Sequence, residues 1–336
     1  MGGSLKTYRN KILDAMLDLL WRQWSTLGAP GHAPRVKRHY VDPEALFAAT
    51  CTFGRYDARL FDEALDWLAS YERFINTQRL HTLFKRKLFS GTAVAGAVAR
   101  FLCSQTRQQR WHNLDQLRLP VSDRGPLFLL KDGGTLPGTG EQDASFSSAG
   151  FSRDPIRLRR HAAFRTSGPG AILPRLRTLI GVNARCEILL YLMTHTAGYP
   201  REIAMETHYA QKTVHDVLDD MALSQYVFSL REKRERLCRL ESKNLAKALT
   251  GKGAPPLWVN WPVVLGALEK AWTALDALSG MDLDPLLEAS QVRQVAETLA
   301  KTLHRQKSIV SVTMPQSNDL DACMRPVLEV LKVLEG

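Results

Sequence analysis

The sequence predicts a mainly α-helical chain in which three helices and a β-hairpin form a unit between helical N-terminal and C-terminal domains. Apolar residues recur at the spacing of a helix with one buried face over most of the 336 residues. Residues that start and stop helices bracket these runs. Alternation typical of strands is confined to one stretch, residues 226–240.

Residues 1–130 are predicted to form a helical N-terminal domain. A helix is expected from Asp42-Pro43, because Asp is a good N-cap and Pro suits the first helical position. Further helices are expected from Asp57 and from Thr77.

Residues 131–171 are predicted to be a flexible linker, because Gly, Ser, Thr, Pro and Asp are frequent and apolar residues show no period. The end of this segment carries Arg157, Arg159 and Arg160, which form a basic arm. Two interpretations stay open: the arm is the solvated end of a linker, or it contacts the phosphate backbone of a nucleic acid.

Residues 251–336 are predicted to be a helical C-terminal domain. Helices are expected over 261–279, 284–306 and 318–334, and Pro326 is expected to bend or split the last of them. This segment is rich in Leu and Trp and has a net charge of −2. These features make its helices the expected dimerisation surface.

Residues 172–250 carry the most informative pattern of the chain. Helical runs separated by short turns precede two strands around a charged turn, in the segments ILLYL, PREIA, QKTVHDVLDDM, YVF and REKRERLCRL. This block of about 60 residues resembles the DNA-binding unit of bacterial winged helix-turn-helix transcription regulators of the MarR and ArsR kind. The resemblance implies a winged helix-turn-helix with residues 211–221 as the recognition helix and the hairpin as the wing.

Double-stranded DNA is the partner that this resemblance implies, because a helix of this size fits the major groove and its first residues reach base edges. The expected contacts of the recognition helix are Gln211, Lys212, Thr213 and His215. The expected contacts of the wing are Arg231, Lys233, Arg234 and Arg236. Candidate contacts with the DNA backbone are Arg157, Arg159, Arg160 and Arg201.

Acidic residues depart from the pattern of these regulators. Asp216 stands where many of them have a basic residue, and Asp219 and Asp220 follow one turn later. These charges disfavour direct readout of bases at that end of the helix.

The net charge of +11 favours a polyanionic partner, with nucleic acid first. Most of it, +8, falls in residues 1–130, whereas residues 172–250 contribute only +3. The basic cluster at residues 85–87 is either a solvated face or a phosphate contact. The helices of residues 43–84 leave open a divergent second winged-helix-like unit in the N-terminal domain.

Sequence motifs of common enzymes are absent: the chain has no GxxxxGK[ST], GxSxG or HExxH, and no GxGxxG after a strand. The five cysteines are far apart without a CxxC pair, which predicts reduced thiols and disfavours a zinc site. We therefore expect no catalytic residue, no metal and no cofactor. No signal peptide and no bilayer-length apolar run is found, which predicts a cytoplasmic, nucleoid-associated protein without a membrane partner.

The function expected from these features is that of a sequence-specific DNA-binding transcription regulator, acting as a homodimer on double-stranded DNA. No residue identifies a small-molecule effector. The first alternative is a non-catalytic adaptor whose winged helix docks a protein. A second alternative is an enzyme with an appended regulatory winged helix.

Overall fold

Helices dominate the computed structural model, which describes residues 4–106, 109–117, 125–136, 140–232, 235–240, 255–305 and 320–335. Helix accounts for 66% of the residues and strand for 6%. The prediction of a mainly α chain is therefore confirmed. Within these ranges, no helix combines the length and the apolar character needed to cross a membrane.

Helices and two small sheets follow one another along the chain. The helices are α1 (Leu5–Leu27), α2 (Pro43–Phe53), α3 (Ala58–Tyr71), α4 (Thr77–Lys85), α5 (Thr92–Thr106), α6 (His112–Asp115), α7 (Ala144–Ser148), α8 (Ile172–Ile180), α9 (Ala184–Thr194), α10 (Pro200–Thr207), α11 (Gln211–Leu223), α12 (Trp261–Ser279), α13 (Pro285–Arg305) and α14 (Leu320–Glu335). The strands are β1 (Gly125–Pro126), β2 (Phe151–Ser152), β3 (Val227–Glu232) and β4 (Glu235–Leu240). β1 pairs with β2 in parallel, whereas β3 and β4 form an antiparallel pair.

Side-chain caps determine where the N-terminal helices begin. Oδ1 of Asp42 accepts hydrogen bonds from the N–H groups of Glu44 and Ala45, both at 3.1 Å, and Pro43 occupies the first position of α2. Oδ1 of Asp57 caps α3 in the same way. The predicted starts of both helices are confirmed, because a cap satisfies backbone donors that have no partner inside the helix.

One hydrophobic core joins the N-terminal and C-terminal helices. α1 packs against α2, α12 and α14, and α12 also packs against α2. Trp24 of α1 is fully buried, and Nε1 of Trp272 on α12 donates to the backbone oxygen of Arg9 at 3.2 Å. Residues 1–130 and 251–336 are therefore not the separate domains that were predicted, because their helices bury their apolar faces against one another.

The apolar face of α12 lies inside this core, where it contacts α1 and α2. Its buried residues include Trp261, Val264, Leu265, Leu268, Trp272 and Leu275. The apolar character of this helix is therefore accounted for within the chain, and it does not mark a dimerisation surface. α14 runs through Pro326 as one helix, so the predicted split does not occur.

The segment predicted to be a flexible linker, residues 131–171, packs against the helices over its described part. The ring of Phe146 is fully buried, 6.2 Å from the ring of Phe61. The ring of Phe164 stacks on that of Phe74 with 4.1 Å between centroids. The linker prediction is wrong because single aromatic residues, too far apart to show a period, fasten a chain of loop-like composition to the core.

In the part of the chain that the structure describes, the N-terminal helices are followed by a tight turn in which Leu129 and Thr135 form a single antiparallel bridge, and not by a hairpin of two strands. The strand found there, β1, has two residues and pairs in parallel with β2. A second winged-helix-like unit needs an antiparallel hairpin after its helices, so the described residues give that alternative no support.

We expect Phe146→Ala to lower the free energy of unfolding by about 3–5 kcal/mol, because it removes a fully buried ring and leaves a cavity. Leu136→Ala is the matched control, since Leu136 lies in the same segment but is 44% exposed. The control should change stability by less than about 0.5 kcal/mol. Urea denaturation followed by circular dichroism measures the stability of both variants. If both substitutions lower the free energy of unfolding equally, residues 131–171 are a flexible linker as first predicted.

Candidate nucleic-acid interface

The segment from α9 to β4 has a small core of its own. Three helices, α9, α10 and α11, pack together with the β3–β4 hairpin. The buried side chains that they share include Ile188, Leu192, Ile203, Val214, Leu218, Val227 and Cys238. This shared core sets the position of α11 relative to the hairpin.

Gly198, which precedes α10, pairs with Cys238 of β4 in an antiparallel bridge, so the hairpin has a short third partner. Gly198 and Cys238 exchange two backbone hydrogen bonds, at 2.9 and 3.0 Å. A Cβ atom on Gly198 would lie 2.6 Å from the ring of Tyr191, so a side chain at this position would displace that ring. The glycine therefore allows the hairpin to lie close to α9.

The first turn of α11 presents polar side chains to solvent. Gln211, Lys212 and Thr213 are exposed, and His215 is half-buried. The opposite face of the helix is buried through Val214, Val217 and Leu218. The structure thus brings the predicted recognition residues together at one end of one helix.

The predicted wing residues have different outcomes. Lys233 and Arg234 lie outside the described residues, and of Arg231 only the backbone, in β3, is described. Arg236 is half-buried; its Nε donates to Oγ of Ser229 at 2.7 Å and its guanidinium pairs with Asp219. Arg236 therefore ties the hairpin to α11, and its role as a DNA contact stays a prediction.

Two of the acidic side chains on α11 are paired with arginines. Asp219 pairs with Arg236, and Asp220 pairs with Arg185 of α9. Asp216, which lies nearer the start of the helix, is exposed. Arginines therefore neutralise the acidic C-terminal end of α11. The charge of Asp216 remains exposed next to the predicted recognition residues.

The four arginines predicted to contact the DNA backbone lie on two different segments of the chain. Arg157, Arg159 and Arg160 are exposed along the basic arm, and the carboxylate of Asp66 in α3 accepts the backbone N–H of Arg160 at 2.6 Å. The arm is thus fixed on α3. Arg201 is exposed in the first turn of α10.

The turn between α10 and α11, residues 208–210, is held by side chains of α4 and by Asn260, the N-cap residue of α12. His208 occupies it with a left-handed backbone, φ 63°, and its Nε2 lies 2.8 Å from Oδ1 of Asn260. From α4, Nε of Arg79 donates to the backbone oxygen of Thr207 at 3.0 Å. The same turn receives a hydrogen bond from the side chain that caps α4, Nδ2 of Asn76 to the hydroxyl of Tyr209 at 2.9 Å.

A network of five buried charges lies beneath this turn. Arg79 pairs with Asp42 at 2.7 Å and with Glu44 at 2.9 Å. Arg177 pairs with the same Glu44 at 2.7 Å and with Glu187 at 2.5 Å. These side chains are at most 4% exposed, and they connect α2, α4, α8 and α9. The network therefore joins the helical body to the unit that carries α11.

Mutual attraction keeps this network ionised. Burial would raise the pKa of Asp42, but the charge and hydrogen bonds of Arg79 outweigh it and place the pKa below its ordinary value. Burial would lower the pKa of Arg177, yet Glu44 and Glu187 raise it well above the ordinary value. Sequence reasoning identified Asp42 only as a helix cap, because its charged partners are distant along the chain.

The basic cluster at residues 85–87 begins at the last residue of α4, and its Arg86 is close enough to this turn for its charge to act on His208. All three side chains are exposed. Arg86 is the C-cap residue of α4, and its backbone N–H donates to the backbone oxygen of Thr82 at 3.0 Å. Burial first, then the charge of Arg79, lower the pKa of His208 to about 4. The hydrogen bond with Asn260 and the charge of Asp42 oppose this shift, and the charge of Arg86 adds a smaller lowering.

Comparisons with protein-family models, with curated proteins and with solved structures find no match for this chain. The described residues include no group of three or more His, Cys, Asp or Glu side chains placed to hold a metal ion. All five cysteines are free thiols, and four of them are buried. The chemistry of the α9–β4 segment must therefore be argued from its own side chains.

We expect Arg177→Met to lower the free energy of unfolding by about 3–5 kcal/mol, because it leaves buried Glu187 without its cation and leaves Glu44 with Arg79 alone. Arg185→Met is the matched control: this arginine also belongs to an ion pair, with Asp220, but the pair is exposed. The control should cost at most about 1 kcal/mol. Guanidinium denaturation measures both, and a stable Arg177→Met protein would contradict the role given to the network.

The folded protein should lose stability as the pH falls from about 6.5 to about 4. His208 has a folded pKa of about 4, so the unfolded chain takes up a proton in this range that the folded chain does not. The expected loss is about 3 kcal/mol, and it is complete below about pH 4, where both states are protonated.

His208→Asn should remove this part of the pH dependence, since Asn tolerates the left-handed backbone and does not titrate. His161→Asn, at an exposed histidine, is the control and should keep the dependence of the wild type. Thermal unfolding measured from pH 4 to 8 gives the comparison. If the two variants have the same pH profile, His208 is not the titrating group.

Proposed function

We propose that residues 172–240 form a winged helix-turn-helix and that the protein is a transcription regulator that binds double-stranded DNA. In this proposal α10 and α11 are the helix-turn-helix, α11 is the recognition helix and the β3–β4 hairpin is the wing. The order of the elements, the antiparallel hairpin and the extra pairing of Gly198 with Cys238 support this assignment.

The observation that carries the proposal is the exposed polar end of α11 after a fixed turn. Gln211, Lys212 and Thr213 project there from a helix whose other face is buried. A Gln side chain matches the hydrogen-bonding edge of adenine, and a Lys matches guanine or phosphate. Because the turn is already ordered, DNA binding would not have to order it, and less binding energy is lost.

The surrounding charge suits a polyanion. Arg86, in the exposed basic cluster at residues 85–87, acts electrostatically on His208 in the turn, and Arg201 is exposed in the first turn of α10. Phosphate contacts of this kind supply affinity and orientation, whereas the base contacts of α11 supply specificity. The N-terminal body and α11 would thus contact one duplex together.

We include a homodimer in the cytoplasm, on the nucleoid, in the proposal. A second copy would place a second α11 at a half-site about one helical turn, roughly 34 Å, along the DNA. The buried Trp and Leu residues of α12 do not provide its interface. The number of protein chains bound per DNA site is measured in the titration described below.

A second candidate function is an adaptor that docks a protein. Leu179, Leu223 and Tyr226 are 67%, 84% and 52% exposed around a groove of about 590 Å³ beside the hairpin. Exposed apolar groups that lie together favour a protein contact. Salt separates the two functions, because DNA binding weakens steeply with salt through counterion release.

The double variant Gln211→Ala, Lys212→Ala should lose sequence preference. Sequences selected by the wild type from random DNA should be favoured less by about 1–3 kcal/mol per lost base contact. Arg86→Ala should instead weaken binding to all sequences alike and lower the salt slope by about 1. Fluorescence anisotropy of labelled duplexes at several salt concentrations measures affinity, slope and stoichiometry.

Lys332→Ala, at an exposed lysine of α14, is the control for the loss of one positive charge and should bind as the wild type does. The regulator proposal fails if the wild type binds no genomic DNA fragment at low salt. It also fails if the double variant on α11 selects the same sequences as the wild type. Salt-insensitive capture of a protein without any DNA binding would favour the adaptor.

A further inference from the structure

A cavity of about 480 Å³ opens on the helical body, away from α11. It lies between the end of α2, the start of α5, the β1–β2 pair and α12. Apolar side chains form much of its wall: Val94, Leu129, Phe151 and Trp272. A cavity of this size and lining suits a small organic molecule.

Arg55 brings an unbalanced positive charge to this cavity. Its Nε donates to the backbone oxygen of Leu127 at 2.9 Å, and its Nη2 donates to that of Pro126 at 3.1 Å. Among the residues that the structure describes, no carboxylate forms an ion pair with it. Burial lowers the pKa of Arg55, but a guanidinium remains charged at neutral pH.

The other charged group of the cavity is already neutralised. Oδ1 of Asp276 accepts a hydrogen bond from Nε of Arg9 at 2.7 Å, and Nη2 of Arg9 lies 2.5 Å from the same oxygen. Arg9 also lies over the ring of Trp272, with its guanidinium carbon 5.3 Å from the ring centroid. The cavity therefore has one positive group in excess, at Arg55.

The polar turn at the start of α5 is fixed in place. The N–H and hydroxyl groups of Ser90 both donate to Oε1 of Glu269, a carboxyl that is 1% exposed on α12. Gly91 follows, and a Cβ atom there would lie 2.7 Å from Cβ of Cys51. The cavity wall is thus built by close packing between α2, α5 and α12.

We propose that this cavity binds a small monocarboxylate with an apolar or aromatic body. The carboxylate would pair with Arg55, whose two backbone hydrogen bonds orient the guanidinium, and the body would pack on the apolar wall, where Leu129 is only half-buried. An anion in a partly buried site gains charge-assisted hydrogen bonds from a half-buried guanidinium that has already lost part of its water. This site is separate from α11, and the proposal does not depend on DNA binding.

The probe for the test is benzoate, and benzamide is its neutral counterpart of the same shape. Isothermal titration of the full chain, without DNA, should show benzoate binding at least about tenfold more tightly than benzamide, because the interaction with Arg55 requires the negative charge. Arg55→Gln should abolish this preference, and Arg55→Lys should retain part of it. Arg59→Gln, at an exposed arginine one turn along in α3, should leave the affinities unchanged.

Equal affinity of the wild type for benzoate and benzamide would overturn the proposal, and so would the absence of benzoate binding. These two outcomes need no variant, so they decide the question even if Arg55→Gln does not fold. A folded Arg55→Gln protein that still prefers benzoate would also overturn it. Circular dichroism establishes that each variant is folded before the titration.

Discussion

The buried pairing of two arginines with three carboxylates is the interaction on which the arrangement of this protein depends. Arg79 and Arg177 contact Asp42, Glu44 and Glu187 from four helices, with Glu44 shared between the two cations. A buried charge costs several kcal/mol unless it is paired, so the five groups favour only arrangements in which all four helices meet. The segment that carries α11 is therefore built into the helical body and is not tethered to it.

This network also explains how a short helix can be held rigidly at the surface. Tyr209, in the turn before α11, donates to Glu187 at 3.0 Å, and Arg79 reaches the backbone of Thr207. The turn contains the left-handed backbone of His208, a conformation that persists when its surroundings fix it. Contacts that order the turn before binding leave α11 with a defined orientation, which is the property a recognition element needs.

Local features of this chain were predictable from the sequence, and distant contacts were not. The cap at Asp42 and the exposed end of α11 depend on residues within one helical turn of each other. Glu44 of α2, the partner of Arg177, lies far from it in the sequence, and no local sequence pattern predicts this ion pair. The burial of Phe146 could not be predicted, because the residues around it have the composition of a loop. The pairing of Arg236 with Asp219 could not be predicted either, because it depends on how the hairpin folds against α11.

The distribution of charge in three dimensions differs from its distribution along the chain. Residues 172–250 contribute only +3 of the net +11, and Arg236 is paired with an acid of α11. The N-terminal residues contribute +8, and among them Arg86, directly after α4, acts electrostatically on His208 in the turn before α11. Because α4 and this turn are joined by hydrogen bonds and share the buried network, that charge cannot move independently of α11. The proposed DNA interface therefore includes positive charge from the N-terminal helices as well as the polar end of α11.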